Sequence, residues 1–250
     1  MPEIKKSLKI KLKTNLLIIL KTFRNIIFTF IDFIYIALTI LNLKNNKIAK
    51  NKKVTIVTAA DESHYKSAEQ LIKSIFLTNK NFNVIFYDLD KKNTFDFEIN
   101  STFNFKYKKF DFDNYPNFFS EKFFSDYDDS YKLGYYAWKA AILQTVSKDL
   151  DGILIWCDAG NIISKKLSLL IKIITKKQFY SPISSNRVVH WTHNSLIEKL
   201  ELSKNILKKR NLSSGLVCFD LSSDISRKLI EQWFDWSKNK SLIAPDGSNR

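Results

Sequence analysis

From Lys53 onward the sequence predicts an α/β fold built on a mostly parallel central sheet with helices on both faces. Three observations predict it: apolar runs of strand length, helical spacing between those runs, and no internal repeat. Residues 54–59 form a continuous apolar, β-branched run, which reads as the first buried parallel strand. Over residues 68–77, helical spacing places Leu71 and Ile75 on one face. Residues 83–87 read as a second strand, ended by the acidic turn Asp88-Leu89-Asp90. Residues 102–110 alternate Phe103, Phe105 and Tyr107 with Asn104, Lys106 and Lys108, the pattern of a half-buried strand. The acidic, aromatic stretch 111–130, with Pro116 inside it, reads as a long loop. Residues 134–146 read as a helix carrying Trp138, Ile142 and Val146 at i, i+4 and i+8. Residues 152–157 are the most hydrophobic strand, followed at once by Asp158-Ala159-Gly160. A helix over 167–175, a strand over 214–219 and a helix over 225–236 complete the pattern.

A chain of 250 residues accommodates one such domain and an appendage. Hydrophobic residues at 45% and aromatics at 14% exclude a disordered chain and supply a sizeable core. The domains expected are a basic, membrane-associating helical segment over 1–52 and the α/β domain over 53–250. Residues 1–53 carry 12 Lys and Arg against Glu3 and Asp32, whereas residues 54–250 carry 28 bases against 23 acids. An enzyme of nucleic acids would concentrate its positive charge on the folded domain, so no nucleic-acid partner is expected. Within residues 16–43, Lys21, Arg24 and Asp32 interrupt the apolar run, and a spanning helix needs about 20 residues almost free of charge. Thr22, Asn25, Thr29, Asp32 and Thr39 fall near one helical stripe, and Lys5, Lys6, Lys9, Lys44, Lys47, Lys50, Lys52 and Lys53 are among the bases flanking the run. The pattern fits a helix lying in the interface of an anionic membrane, its lysines reaching the headgroups; a spanning helix and a core helix are the other readings. No small-residue cleavage site follows the run, so a signal peptide fits poorly.

Cys157 and Cys218 each sit within an apolar strand, as small buried hydrophobes do, and no Cys/His spacing suggests zinc. Their scarcity points to a reducing compartment, and with the basic segment to the cytoplasmic face of a membrane. The sequence has no P-loop, no G-x-G-x-x-G and no G-x-S-x-G, which argues against kinases, dinucleotide enzymes and serine hydrolases.

In open α/β sheets ligands bind outside the carboxyl ends of the strands. Two such ends stand out: Thr58-Ala59-Ala60-Asp61-Glu62-Ser63-His64-Tyr65, and Asp158-Ala159-Gly160. A strand-end carboxylate can hold a divalent cation or a sugar hydroxyl, and it can equally be a turn residue. Asp158 is expected to carry little packing.

These two ends occur in order with Tyr87-Asp88-Leu89, Tyr136-Ala137-Trp138-Lys139, Trp191-Thr192-His193, Asn211-Leu212-Ser213-Ser214-Gly215 and Pro245-Asp246-Gly247-Ser248. The ordered set resembles GT-A-type glycosyltransferase-like proteins, distantly similar to the glycogenin and galactosyltransferase family, family eight. The resemblance covers about 200 residues. It implies a GT-A-like sheet and transfer of a sugar from a nucleotide-sugar donor to a glycan or lipid-linked acceptor. By resemblance, Thr58, Ala59 and Asp61 hold the nucleotide, Tyr65 is the aromatic beside it, and Gly160 lets the donor approach. Lys139 lies by the diphosphate or donor sugar, and Asp158 matches the first carboxylate of the Asp-x-Asp metal signature, with Mn or Mg as the cation. His193, Ser214 and Gly215 would line the acceptor side. Two departures stand out: Gly160 replaces the second acid, and the chain stops at Arg250, before the His-Arg-x-Asp-Gln motif of the resembling proteins. A non-catalytic, membrane-bound glycan-binding scaffold and a nucleotidyltransferase are the competing readings. The latter should show a Gly-rich basic loop where this chain has Ala60-Asp61-Glu62-Ser63.

Overall fold

The computed structural model describes residues 52–90, 102–125 and 130–243, together with single helical residues between 22 and 38. The chain divides into two compact units, residues 1–47 and 48–250. In the first, the described residues are helical, and Ile26, Phe30, Phe33 and Leu38 are exposed. No helix among the described residues is long and apolar enough to cross a membrane.

The second unit is organised by a six-stranded sheet in the order β3-β2-β1-β6-β10-β7. Its strands are β1 (Val54–Ala60), β2 (Asn83–Asp88), β3 (Phe105–Lys109), β6 (Ile153–Cys157), β7 (Phe179–Tyr180) and β10 (Leu216–Asp220). Two hairpins supply the remaining strands, β4 (Lys122–Ser125) with β5 (Ser130–Leu133) and β8 (Ile183–Arg187) with β9 (Arg210–Leu212). β1 pairs in parallel with β2 on one side and β6 on the other, and β10 alone runs against the rest.

All seven residues of β1 and all five of β6 are buried, which is why their sequences are apolar without alternation. The faces still separate by parity. Val57, Ala59, Leu154, Trp156, Val217 and Phe219 enter one core cluster, which also holds residues of helices α2 (Ala137–Asp149) and α4 (Asp224–Ser237). Ile56, Ala60, Ile153, Ile155, Cys157 and Cys218 enter the other, shared with α1 (Tyr65–Thr78) and α3 (Ser168–Lys177). A mostly parallel sheet covered by helices on both faces is therefore the observed architecture.

The differences from expectation have local causes. β3 is an edge strand with four of its five residues exposed; Phe103 and Phe105 pack against the core and Asn104, Lys106 and Lys108 face solvent, but Tyr107 breaks the expected alternation. Phe103, just before it, stacks on Phe76 at 4.2 Å. The stretch read as a long loop folds into two short 3-10 turns and the first strand of the β4–β5 hairpin. Aromatic stacking holds it together: Tyr115 lies between Phe110 at 4.9 Å and Phe119 at 5.4 Å. Helix α2 starts at Ala137, because Gly134, Tyr135 and Tyr136 all take positive φ (52°, 45° and 64°).

Lys52, expected to reach toward lipid headgroups, is instead committed to the domain. Its ammonium donates to both oxygens of buried Asp220, at 2.5 and 2.7 Å, and to Ser222 Oγ at 2.8 Å. This clasp closes the amino end of the sheet, where Ile153 N donates to the Lys53 carbonyl at 2.8 Å. Gly152 sits between them with φ +91°, and a Cβ there would come 2.4 Å from Lys53 O.

Two stability changes are expected from this closure. Gly152→Ala should cost about 2–4 kcal/mol, because it combines a disfavoured φ with a backbone clash. Lys52→Met should cost about 2–3 kcal/mol by leaving the Asp220 carboxylate buried without a cation. Urea unfolding checks both, and values near zero would show that strand β1 is held without this closure.

Candidate functional site

Parallel strands β1, β2, β3 and β6 deliver their carboxyl ends to one edge, and the polar residues collect there. Register pairs Val57 with Trp156 and Ala60 with Asp88, so Asp61, Asp88 and Asp158 leave neighbouring strands at one edge of the sheet.

Asp158 follows β6 and is the centre of the cluster. Its Oδ1 accepts from Lys139 Nζ at 2.7 Å and from Trp156 Nε1 at 2.5 Å. The Lys139 side chain is only 4% exposed and that of Asp158 is 43% exposed, so the ammonium is internal while the carboxylate opens to solvent. Lys139 also donates to the Ser214 carbonyl at 3.1 Å and lies over the rings of Trp156 and Tyr136, at 5.2 and 5.7 Å. Burial pushes the Lys139 pKa down, and the Asp158 charge and hydrogen bond push back against it.

The backbone under Asp158 is equally fixed. Its N–H donates to the Gly215 carbonyl at 2.9 Å, and Asn161 Nδ2 ties the Asp158 and Gly215 carbonyls together at 2.9 and 3.2 Å. A Cβ at Gly215 would stand 3.4 Å from Asp158 Oδ2, whereas a Cβ at Gly160 would meet nothing within 4 Å. The loop after β6 thus faces open space on the Gly160 side, with Asp158 Oδ2 beside it on the Gly215 side.

Asp61 forms a second carboxylate station. It accepts from Ser63 Oγ at 2.6 Å and from His64 Nδ1 at 2.7 Å. Burial pushes its pKa up, but the hydrogen bonds from Ser63 and His64 outweigh it, so the carboxyl ends below its usual range. Asp88 is wholly buried and accepts from Tyr65 Oη at 2.6 Å and Tyr107 Oη at 2.7 Å. Those bonds hold the Tyr65 ring at this edge, edge-on to Phe86 at 6.3 Å.

The structure therefore brings Asp158, Lys139, Ser214 and Gly215 together, with Gly160 on the adjoining loop. Asp61 and Tyr65 lie beyond the end of the next strand. Thr58 and Ala59 are buried within β1, and the Thr58 hydroxyl has no hydrogen-bond partner among the described residues. His193 lies in the segment between β8 and β9, where its Nδ1 accepts from Ser195 N at 3.2 Å and caps helix Asn194–Lys199. Trp156 and Asn161 are site residues that the sequence reading gave no role, and Tyr136, though part of an ordered motif, was given none either. The signal for Trp156 was its indole N–H, a donor inside an apolar strand that must find an acceptor. Cys157 and Cys218 are buried free thiols, and burial pushes Cys157 up to about 12, so neither supplies a thiolate.

An open cleft of about 320 Å³ lies farther along the same edge, lined by Asp90, Lys109, Phe110, Asp111, Phe112 and Asp113. It is separated from Asp158 by β1 and β2, and it contains none of the residues gathered around Lys139.

Comparison with known proteins gives the following. The family described as protein of unknown function (DUF1647) matches residues 13–133. No curated protein matches. Among solved structures the chain is similar to the glycosyltransferase GlyE of Streptococcus pneumoniae TIGR4, at 10% identity over 79% of this chain and 41% of that one, with a TM-score of 0.41. It is similar to the bifunctional glycosyltransferase WbbM at 11% identity over 79% of this chain and 38% of that one, with a TM-score of 0.45. It is similar to core-mannan synthase A (CmsA/Ktr4) of Aspergillus fumigatus, solved in an Mn/GDP form, at 10% identity over 80% of this chain and 70% of that one, with a TM-score of 0.44. The chain spans about two-fifths of the length of GlyE and of WbbM.

Proposed function

We propose that residues 53–250 bind a nucleotide sugar at the carboxyl edge of the sheet and transfer its sugar to a glycan or lipid-linked acceptor. The observation that carries this reading is the Lys139–Asp158 pair: a buried ammonium held against a solvent-facing carboxylate at the end of β6. The names of the similar structures and the ordered motifs support the same reaction class.

In such a transfer the acceptor hydroxyl oxygen bonds to the anomeric carbon as its bond to the diphosphate breaks. The diphosphate leaves with the electron pair, and the hydroxyl proton is lost. Charge develops on the leaving group, so fixed positive charge in a partly dehydrated site is the main help the protein can give. Lys139 supplies it from a position fixed by Asp158, Ser214 and the two aromatic rings. Asp158 Oδ2, on the open side, is suited to a divalent cation or a sugar hydroxyl. Among the described residues no group of three His, Cys, Asp or Glu could hold a metal ion. Asp158 Oδ2 would be the protein oxygen for a Mg or Mn ion arriving with the diphosphate, since Mg ions are commonly held by one or two carboxylates plus substrate phosphates. Such a cation would neutralise leaving-group charge. On the motif resemblance, we assign Asp61 and Tyr65 to the nucleotide, and Ser214, Gly215 and His193 to the acceptor.

We also read residues 1–52 as an anchor at the cytoplasmic face of a membrane, supported by their basic charge and by the exposed Ile26, Phe30, Phe33 and Leu38.

Two substitutions test the site together. Lys139→Met removes the buried charge and leaves Asp158 to solvent, so stability should change by about 1 kcal/mol or less. Binding of a nucleoside diphosphate with Mn²⁺ should weaken at least tenfold. Asp158→Asn strands the buried ammonium, so it should cost about 2–3 kcal/mol, more than the slight packing role expected from the sequence. It too should weaken metal-dependent binding at least tenfold. Calorimetric titration and urea unfolding read the two effects separately. Wild-type affinity in both variants would remove the donor site and favour a glycan-binding scaffold.

A further inference from the structure

The segment between β8 and β9 extends from the same edge of the sheet as Asp158, because β7, across β10 from β6, runs in the same direction as β6 and leads into β8. None of its described residues is buried. It is nevertheless bolted to the site: Ser213 N donates to Pro182 O at 2.8 Å, Ser181 Oγ to Ser213 O at 2.6 Å, and Ser214 O accepts from Lys139.

Two features of this segment bear on what it meets. Residues 183–212 carry six bases against Glu198 and Glu201, while the rest of residues 54–250 carries 22 bases against 21 acids. The positive excess of the domain is therefore concentrated in 30 residues beside the site. Arg187 and Arg210 are cross-strand partners in the hairpin, with Arg210 Nε donating to the Ser184 carbonyl at 3.0 Å, so two of these bases share one part of the segment. The second feature is apolar. Val189 and Trp191 are 42% and 52% exposed on a short helix that contacts the helix bearing Ile206, itself 42% exposed. An exposed tryptophan among aliphatic side chains, flanked by arginine and lysine, matches the layered chemistry of a lipid interface, with apolar tails beneath anionic phosphates. Residues 1–53 carry the same combination of basic and apolar residues.

We propose that the β8–β9 segment docks the active edge of the domain onto an anionic lipid surface, so that the acceptor is a phosphate-bearing lipid presented from that surface. The acceptor assignment rests on the glycosyl-transfer reading; the docking itself does not.

The test uses the full chain and needs no turnover. Cys157 and Cys218 are buried, so Trp191→Cys offers a reactive thiol for an environment-sensitive fluorophore. Leu77→Cys, 80% exposed at the opposite edge of the sheet, is the control, and Val189→Cys replaces the first variant if it fails to fold. With vesicles of phosphatidylcholine containing phosphatidylglycerol, the label at 191 should shift to the blue while the label at 77 does not. Pure phosphatidylcholine should produce no shift. Lys208→Glu with Lys209→Glu should raise the lipid concentration for half-response at least fivefold. The proposal is overturned if the label at 191 stays in water on anionic vesicles, if both labels respond alike, or if charge reversal changes nothing. A shift caused by single-stranded RNA, or by raising protein concentration without lipid, would assign the surface to those partners instead and equally overturn it. If docking holds while nucleoside diphosphate fails to bind, the transfer reading falls and the lipid surface stands.

Discussion

A lysine ammonium buried to 4% exposure needs a counter-charge, and in this domain most of the site is arranged around supplying one. Lys139 enters from α2, Asp158 from the end of β6, and the Ser214 carbonyl from the turn before β10. Three elements distant in sequence are thereby pinned at one point. The pairing strands of the central sheet bring the pieces within reach, and the ion pair fixes their relative positions to hydrogen-bond precision. Removing either partner has unequal consequences, because only the carboxylate has water to fall back on.

The placement of Lys139 is traceable upstream to sequence that looks like loop. The stacked Phe110, Tyr115 and Phe119 fix the backbone of Phe119, and Gly134 packs so tightly on it that a Cβ would come 2.4 Å from its carbonyl oxygen. From Gly134 the chain turns through Tyr135 and Tyr136, both left-handed, before α2 begins. Non-glycine residues held there cost about 1–3 kcal/mol each, and such strain survives only where surrounding packing enforces it. Here the turn delivers Lys139 inward on the first turn of α2 and sets the Tyr136 ring beside its ammonium. The aromatic stretch is thus a scaffold for the charge.

Legibility in the sequence followed burial. β1 and β6 could be read because burial on both faces leaves no polar residue in them except threonine, and the carboxylates immediately after them marked the edge. The alternation over 102–110 held for Phe103 and Phe105, which pack on the core, and failed at Tyr107, which is exposed because β3 is an edge strand. The hairpin strands and 3-10 turns between 111 and 133 were invisible because aromatic stacking, not periodicity, specifies them. Of the site, Asp158 and Lys139 could be named from ordered motifs. Their contact could not, since it depends on where α2 starts, and that depends on the left-handed turn at residues 134–136. Lys52 was assigned to lipid by its neighbours in sequence, and only the tertiary position of Asp220 shows otherwise.

The charge distribution of the domain follows from the same geometry. The proposed transfer would call for positive charge near the reacting atoms, and Lys139, which is internal, is the base held against Asp158. The excess lies instead on the β8–β9 segment, which leaves the sheet at the same edge and returns through Ser213 and Ser214 to the Lys139 contact. Exposed positive charge is screened by solvent over about 8–10 Å, so under the proposed transfer it would act on the approach of a partner rather than on the leaving group. Under the docking proposal it would orient the whole edge toward a negative surface, separating attraction of a partner from stabilisation of the transferred group. A single cluster could not do both: an ammonium exposed enough to draw a distant anionic surface would lose the desolvation that makes Lys139 effective at close range.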